Sequence, residues 1–207
     1  MHNKINREQY WNQRSKTYLE EIEETFGEAN DKIIKQIKKY CNEKDIVLDI
    51  GCGPGVITKD IASSVKKIKA IDISPEMINK ARKNNLANVD WEVNELLNLK
   101  IEEEYTFVTA CNVLLYMENV GDIMNKIYDI LPMNGYLVAV IDCLGEKKNL
   151  KYISRVIKIK TGKRPYNKNY SIEEFKGLFT SKGFEIVYEE NLFEPTNNYL
   201  VVARKMN

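Results

Sequence analysis

Histidine is almost missing from this chain: His2 is the single one among 207 residues. That removes histidine as a general base and excludes histidine-rich metal centres, so no metal site is expected. Cysteine is sparse as well. Cys41, Cys52, Cys111 and Cys143 stand far apart with no C-x-x-C pair, which fits free thiols or small core residues in a reducing compartment. No apolar run approaches the roughly 18 residues of a membrane span, and the polar start lacks the apolar stretch of a signal peptide. A cytoplasmic protein without a membrane partner is the expectation. Neither sign of charge is in excess. The 31 basic and 30 acidic residues leave a net charge of +1, so the balance points to neither nucleic acid nor an anionic surface.

A hydrophobic share of 43% in a chain of this length suffices for one domain with a full core, without disulfides or metal. The stretch that organises it is Ile46-Val-Leu-Asp-Ile-Gly-Cys-Gly-Pro-Gly-Val56. An apolar run of this kind predicts a buried strand, and Gly51, Gly53 and Gly55 mark a tight turn that admits a ligand closely. Val56, Ile57, Ile61, Ala62 and Val65 then recur at helical spacing. The helix start offers unpaired N–H groups toward whatever lies above the glycines.

The spacing here is G-x-G-x-G, whereas a dinucleotide loop reads G-x-G-x-x-G around a pyrophosphate. Asp49, two residues before the first glycine, would repel a pyrophosphate and attract an ammonium or sulfonium group. The next strand, Ile68-Lys-Ala-Ile-Asp-Ile73, ends with Asp72, about twenty residues on, where an acid grips ribose hydroxyls.

Asp49-Ile-Gly-Cys-Gly-Pro-Gly55 followed by Ala70-Ile-Asp-Ile-Ser-Pro-Glu-Met-Ile78 resembles the class I S-adenosylmethionine-dependent methyltransferases, most nearly the small-molecule group called type 11. The likeness runs from Ile46 to Ile141 and more loosely over both ends. It implies an α/β, Rossmann-like doubly wound fold: a mostly parallel seven-stranded sheet with an antiparallel last strand, plus an N-terminal helical lid. It implies S-adenosyl-L-methionine as cofactor and S-adenosyl-L-homocysteine as product. The single domain then divides into a lid (1–40), a cofactor-binding core (41–145), a variable basic substrate-side segment (146–183) and a C-terminal β-hairpin (184–207).

By that resemblance Asp49, Gly51, Cys52 and Gly53 face the methionine end, and Asp72, Ile73 and Met77 the ribose side. Asn94, Glu95 and Leu96 meet the adenine, and Cys111 and Asn112 lie under the methionine portion. The family's Asn/Asp-Pro-Pro-aromatic motif of base and glutamine N-methyltransferases is missing after the fourth strand. Cys111-Asn-Val-Leu-Leu-Tyr116 stands there instead, as in small-molecule enzymes, with Tyr116 toward the acceptor and Leu114 and Leu115 in the core.

The rest of the chain follows suit. Lys4 to Glu24 predicts a helix carrying Tyr10, Trp11, Arg14, Tyr18 and Leu19, interrupted at Gly27 before a second helix over Glu28 to Tyr40. Either it packs its aromatics on the domain, or, as the resemblance implies, it closes over the cofactor with Tyr10, Tyr18 and Arg14 near the methionine carboxylate. Ser74 and Pro75 signpost a helix start, and Asn84-Asn85 its left-handed exit. Strands are predicted at Val89–Val93, Tyr105–Ala110, Tyr136–Ile141, Glu185–Asn191 and Asn198–Ala203, with helices from Gly121 to Leu131 and from Ser171 to a Gly183 cap.

From Lys147 to Lys168 the chain has nine basic residues and no acidic one. Leu150, Ile153, Val156 and Ile157 predict an amphipathic helix with a solvated basic face. The alternative is an acceptor-side wall, with Tyr152, Tyr166 and Tyr170, that favours an anionic acceptor. For a group that takes a proton, Tyr116, Tyr18 and Asp142 are the candidates. The expected partner is a small-molecule methyl acceptor and not nucleic acid, with the protein as a monomer or homodimer. An RNA or protein methyltransferase and a non-catalytic cofactor-binding module are the rival readings, and an NAD oxidoreductase is a distant one.

Overall fold

Neighbouring residues on a strand point to opposite faces, and the central strands of this chain are apolar on both. The structure, a computed structural model, describes residues 5–206, apart from the side chains of residues 23–26. His2 and the expected helix start at Lys4 therefore lie outside the described residues. The strands are β1 (Ile46–Ile50), β2 (Lys67–Asp72), β3 (Val89–Val93), β4 (Phe107–Cys111), β5 (Tyr136–Asp142), β6 (Phe184–Phe193) and β7 (Asn198–Lys205). They form one seven-stranded sheet in the order β3-β2-β1-β4-β5-β7-β6. β1 to β5 run parallel, and β7 is antiparallel to both its neighbours. The expected topology is the observed one.

The helices are α1 (Arg7–Arg14), α2 (Tyr18–Tyr40), α3 (Val56–Ile61), α4 (Pro75–Ala81), α5 (Val120–Ile130), α6 (Leu150–Lys160) and α7 (Ile172–Thr180). Alternation sorts the core into two layers. Leu48, Val108, Leu137 and Ala139 pack toward Ile123, Ile127, Phe175 and Phe179 of α5 and α7. Their neighbours Val47, Phe107, Val138 and Val140 pack toward Ile33, Ile37, Ile61 and Ile78 of α2, α3 and α4. Leu114 and Leu115 are buried in the first layer, as expected.

Local signals worked where one residue decides the backbone. Ser74 accepts from the Met77 N–H and Pro75 opens α4. Asn85 takes the left-handed conformation at φ 49° and Gly183 does so at φ 86°.

Two expectations fail. The N-terminal helix does not run to Glu24. It stops at Arg14, and α2 begins at Tyr18 and passes straight through Gly27. The break sits where Ser15 Oγ turns back to the Asn12 carbonyl and Thr17 Oγ1 to Glu21 Oε1. A glycine lowers helix stability by only about 1 kcal/mol, less than the packing of the buried Ala29, Ile33 and Ile37 face contributes.

The second failure is α6. Its apolar residues were expected inside, yet Leu150 is 84% exposed and Ile153 and Ile157 are exposed too, while Arg155 is only 8% exposed. Arg155 Nη2 donates to Asp142 Oδ2 at 3.0 Å, and Nη1 to Asn167 Oδ1 at 3.4 Å. A half-buried carboxylate needs a partner more than these side chains need burial, so the helix buries Arg155, while Lys151, Lys158 and Lys160 stay exposed.

Candidate functional site

In an open α/β sheet the crevice lies beyond the carboxyl ends of the strands, where their order reverses. Here that point is between β1 and β4, and a cavity of about 390 Å³ opens there. Gly51 and Gly53 form its floor. Gly51 sits at φ 70°, and a Cβ there would stand 2.5 Å from Val113 Cγ2. The position therefore demands glycine twice, for its backbone and for the close approach of Val113.

The loop's amides are already taken. Gly51 and Cys52 donate to the Ile71 carbonyl at 2.8 and 3.1 Å, and the Gly53 N–H to Asp72 Oδ2 at 3.0 Å. With these three amides engaged, the floor is poorly suited to a pyrophosphate.

Asp72 ends β2 and lines the cavity. Its Oδ1 accepts from the Ser74 N–H at 2.8 Å. Burial pushes its carboxyl up to about 6, against the pull of the two backbone N–H groups, with the Asp49 charge adding a little. Asp49 itself is 3% exposed and does not line the cavity. It lies beneath the loop, accepting from Thr58 Oγ1 at 2.5 Å and Thr109 Oγ1 at 2.7 Å. Burial raises its pKa, and those two hydroxyls oppose the rise. Expected at the lip, Asp49 instead ties β1 to α3 and β4, because both threonine hydroxyls point at it.

Ile73, Met77, Asn94, Glu95 and Leu96 form one side of the cavity, and Cys111 and Asn112 at the end of β4 form another. Burial raises the Cys111 thiol, so it is no thiolate at neutral pH. Asn112 adopts φ 55° and its Oδ1 accepts from Asn198 Nδ2 at 3.1 Å. α1 covers the opening. Asn12 Oδ1 accepts from Ser74 Oγ at 2.6 Å, Lys80 Nζ reaches the Ser15 carbonyl, and Arg7 pairs with Glu95. Trp11 meets Tyr18 and Tyr116 edge-on, with ring centroids 5.6 and 5.0 Å apart.

Besides Asp49, four expected contacts fall outside this cavity. Tyr10 faces away, its hydroxyl accepting from Arg164 Nε at 3.0 Å. Arg14 pairs with Glu21. Cys52 turns its sulfur to the α2–α3 side of the sheet. Asp142 is held by Arg155 and, at 3.0 Å, by Asn198 Nδ2.

Tyr18 and Tyr116 do line the cavity. Burial raises both phenols, and the Tyr116 and Asp72 charges raise the Tyr18 value further. Both keep their protons at neutral pH, so neither serves as a base there. Arg7, Met117, Glu118 and Asn119 also line the cavity, and none stood out in sequence. Arg7 lies one helical turn before Trp11, a spacing that could have found it. Three carboxylates, Asp72, Glu95 and Glu118, thus face one cation, Arg7.

Residues 47–135 match the model of a methyltransferase domain family. Nodulation protein S of Rhizobium tropici is 27% identical over 96 residues, 44% of this chain and 40% of that protein. An uncharacterized methyltransferase-like protein of Schizosaccharomyces pombe is 29% identical over 144 residues, 69% of this chain and 55% of that one. The chain spans about half the length of these curated relatives. The N-methyltransferase NodS of Bradyrhizobium japonicum, solved in complex with S-adenosyl-L-homocysteine, superposes with a TM-score of 0.64 at 16% identity, over 86% of this chain and 87% of that one. At that identity the likeness is one of fold.

Proposed function

The chain belongs to the class I S-adenosylmethionine-dependent methyltransferases, and we propose that it transfers a methyl group from S-adenosyl-L-methionine to a small-molecule acceptor. The observation that carries this reading is the cavity at the strand-order reversal, with Asp72 at the end of β2 and three carboxylates against one cation. The residues fit the cofactor. The cavity has the size of a small-molecule site, its floor presents no side chain at Gly51 or Gly53, and its acidic lining suits a cation. Bound S-adenosylmethionine supplies an electrophilic methyl on a sulfonium and leaves as S-adenosylhomocysteine.

The protein's part is alignment and exclusion of water. Asp72 accepts the ribose hydroxyls, Glu95 and the backbone at Leu96 face the adenine, and Gly51 with Asn112 brackets the methionine end. Trp11, Tyr18 and Tyr116 form an apolar roof with two hydroxyls that orient the acceptor. Because both phenols hold their protons, the favoured acceptors need no proton removed by the protein, such as an ionised thiol, a carboxylate or a stabilised carbanion. The enclosed aromatic roof supports a small acceptor over an RNA or a protein side chain.

Isothermal titration tests the cofactor assignment. Hydrogen bonds to a charged group contribute about 1.5–3 kcal/mol, so Asp72→Ala should bind S-adenosylmethionine about ten- to hundredfold more weakly. Equal affinity in the variant refutes it. Incubation with isotope-labelled cofactor and a metabolite extract then identifies which compound gains a methyl group. Protein or RNA labelling without any labelled metabolite would defeat the small-molecule reading.

A further inference from the structure

A second cavity, of about 360 Å³, lies against α6. Lys151, Arg155, Lys158 and Arg164 line it together with Ser154 and Thr196, and no carboxylate is among its lining residues. Within the basic segment, ion pairs engage Lys147, Arg155 and Lys168. Lys151, Lys158 and Arg164 are left without a carboxylate partner among the described residues. Like charges gathered in a concave, partly dry site repel one another unless a counter-charge joins them. Thr196 is a separate sign. It is 8% exposed, and its Oγ1 has no hydrogen-bond partner among the described residues. A buried hydroxyl without a partner is a lost hydrogen bond that a ligand can restore.

The second cavity is coupled to the first through side chains. Arg164 lines the former and donates to Tyr10 Oη, the Tyr10 ring meets Trp11 edge-on at 5.2 Å, and Trp11 lines the latter. Arg164 and Arg155 are near enough to Tyr116 for their charges to oppose the rise that burial gives its phenol. We propose that this cavity binds an oxyanion, the carboxylate or phosphate group of the methyl acceptor, through Lys151, Lys158, Arg164 and Thr196 Oγ1. Its identification as part of the acceptor rests on the methyl-transfer reading; the binding of the oxyanion does not. The inward turn of Arg155 on α6 fits the same arrangement. Arg155 anchors the helix on Asp142, and Lys151 and Lys158 line the cavity beside it.

The probes are inorganic phosphate and acetate, titrated calorimetrically into the protein at constant ionic strength in chloride, with and without saturating S-adenosylmethionine. Saturable binding of one of them in both conditions is expected, and the stronger of the two names the group. Lys158→Ala, at an exposed position that does not threaten folding, should weaken it about tenfold or more, and so should Thr196→Val. Thr196→Ser should recover it, because the hydroxyl returns. Cofactor affinity should not change in any of them. Absence of saturation, equal affinity in Lys158→Ala, or displacement of the anion by the cofactor would overturn the proposal. So would a single-stranded RNA that displaces the anion and binds more tightly with a steep salt dependence. If the anion binds as described while no metabolite is methylated, the site stands and the methyl-transfer reading falls.

Discussion

The floor of the main cavity, built from the loop after β1 and the end of β2, and the wall made by α6 and the segment after it hold their charges in opposite ways. On the floor a carboxylate is kept by backbone: Asp72 accepts from the Gly53 and Ser74 N–H groups, nineteen and two residues away in sequence. In the wall a guanidinium is kept by side chains brought from elsewhere, Asp142 at the end of β5 and Asn167 beyond α6. The floor is local chemistry repeated by a short motif. The wall exists only once the sheet has delivered Asp142. That difference explains why Gly51, Gly53 and Asp72 line the cavity as expected while α6 buries an arginine and exposes its isoleucines.

The comparison breaks most visibly at Arg155. Its pair with Asp142 has both side chains largely buried, and removing one partner of such a pair destabilises by roughly 3–5 kcal/mol. Urea unfolding of Arg155→Met should show that loss, and adding Asp142→Asn should restore part of it. Gly51→Ala comes next. A left-handed backbone is unfavourable for an alanine by roughly 1–2 kcal/mol and the Val113 contact adds about 1–3. Val113→Ala should relieve the second share and leave the first, a split that separates backbone from packing.

Asp72 sharpens the comparison through pH. Its ionised form is the hydrogen-bond acceptor for a ribose, and its carboxyl stands near 6. Cofactor affinity should therefore be full above that pH and fall as pH drops through it, toward about tenfold per unit. A flat profile from pH 8 to 5 would remove Asp72 from the binding groups. The smallest effect belongs to the outer face of α6. Ile153→Ser should alter stability by no more than about 0.5 kcal/mol, whereas an inward-facing isoleucine at that position would lose several times as much.

How much of this was legible depends on how far apart the partners are. The Ser74-Pro75 start of α4 and the Asn85 exit were readable because a cap or a left-handed residue is satisfied within three or four positions. Asp49 was recognised as part of the loop, but its direction was not. Thr58 follows nine residues later, and Thr109 comes from a neighbouring strand sixty residues on. Tyr10 and Arg14 carry the right chemistry for a lid, yet the turn at Ser15 and the arrival of Arg164 and Glu21 gave both another partner. Arg7 was overlooked because its partner, Glu95, lies eighty-eight positions away.

The amino-acid order alone determined the strand succession, the glycine turn and the acid at the end of β2, since backbone sterics and period-two burial act over a few residues. Tertiary structure alone decided which charges were neutralised. Asp142, Arg155 and Asp49 each point where a distant donor or acceptor waits, because an ion leaving water must find its counterpart wherever the fold has carried it.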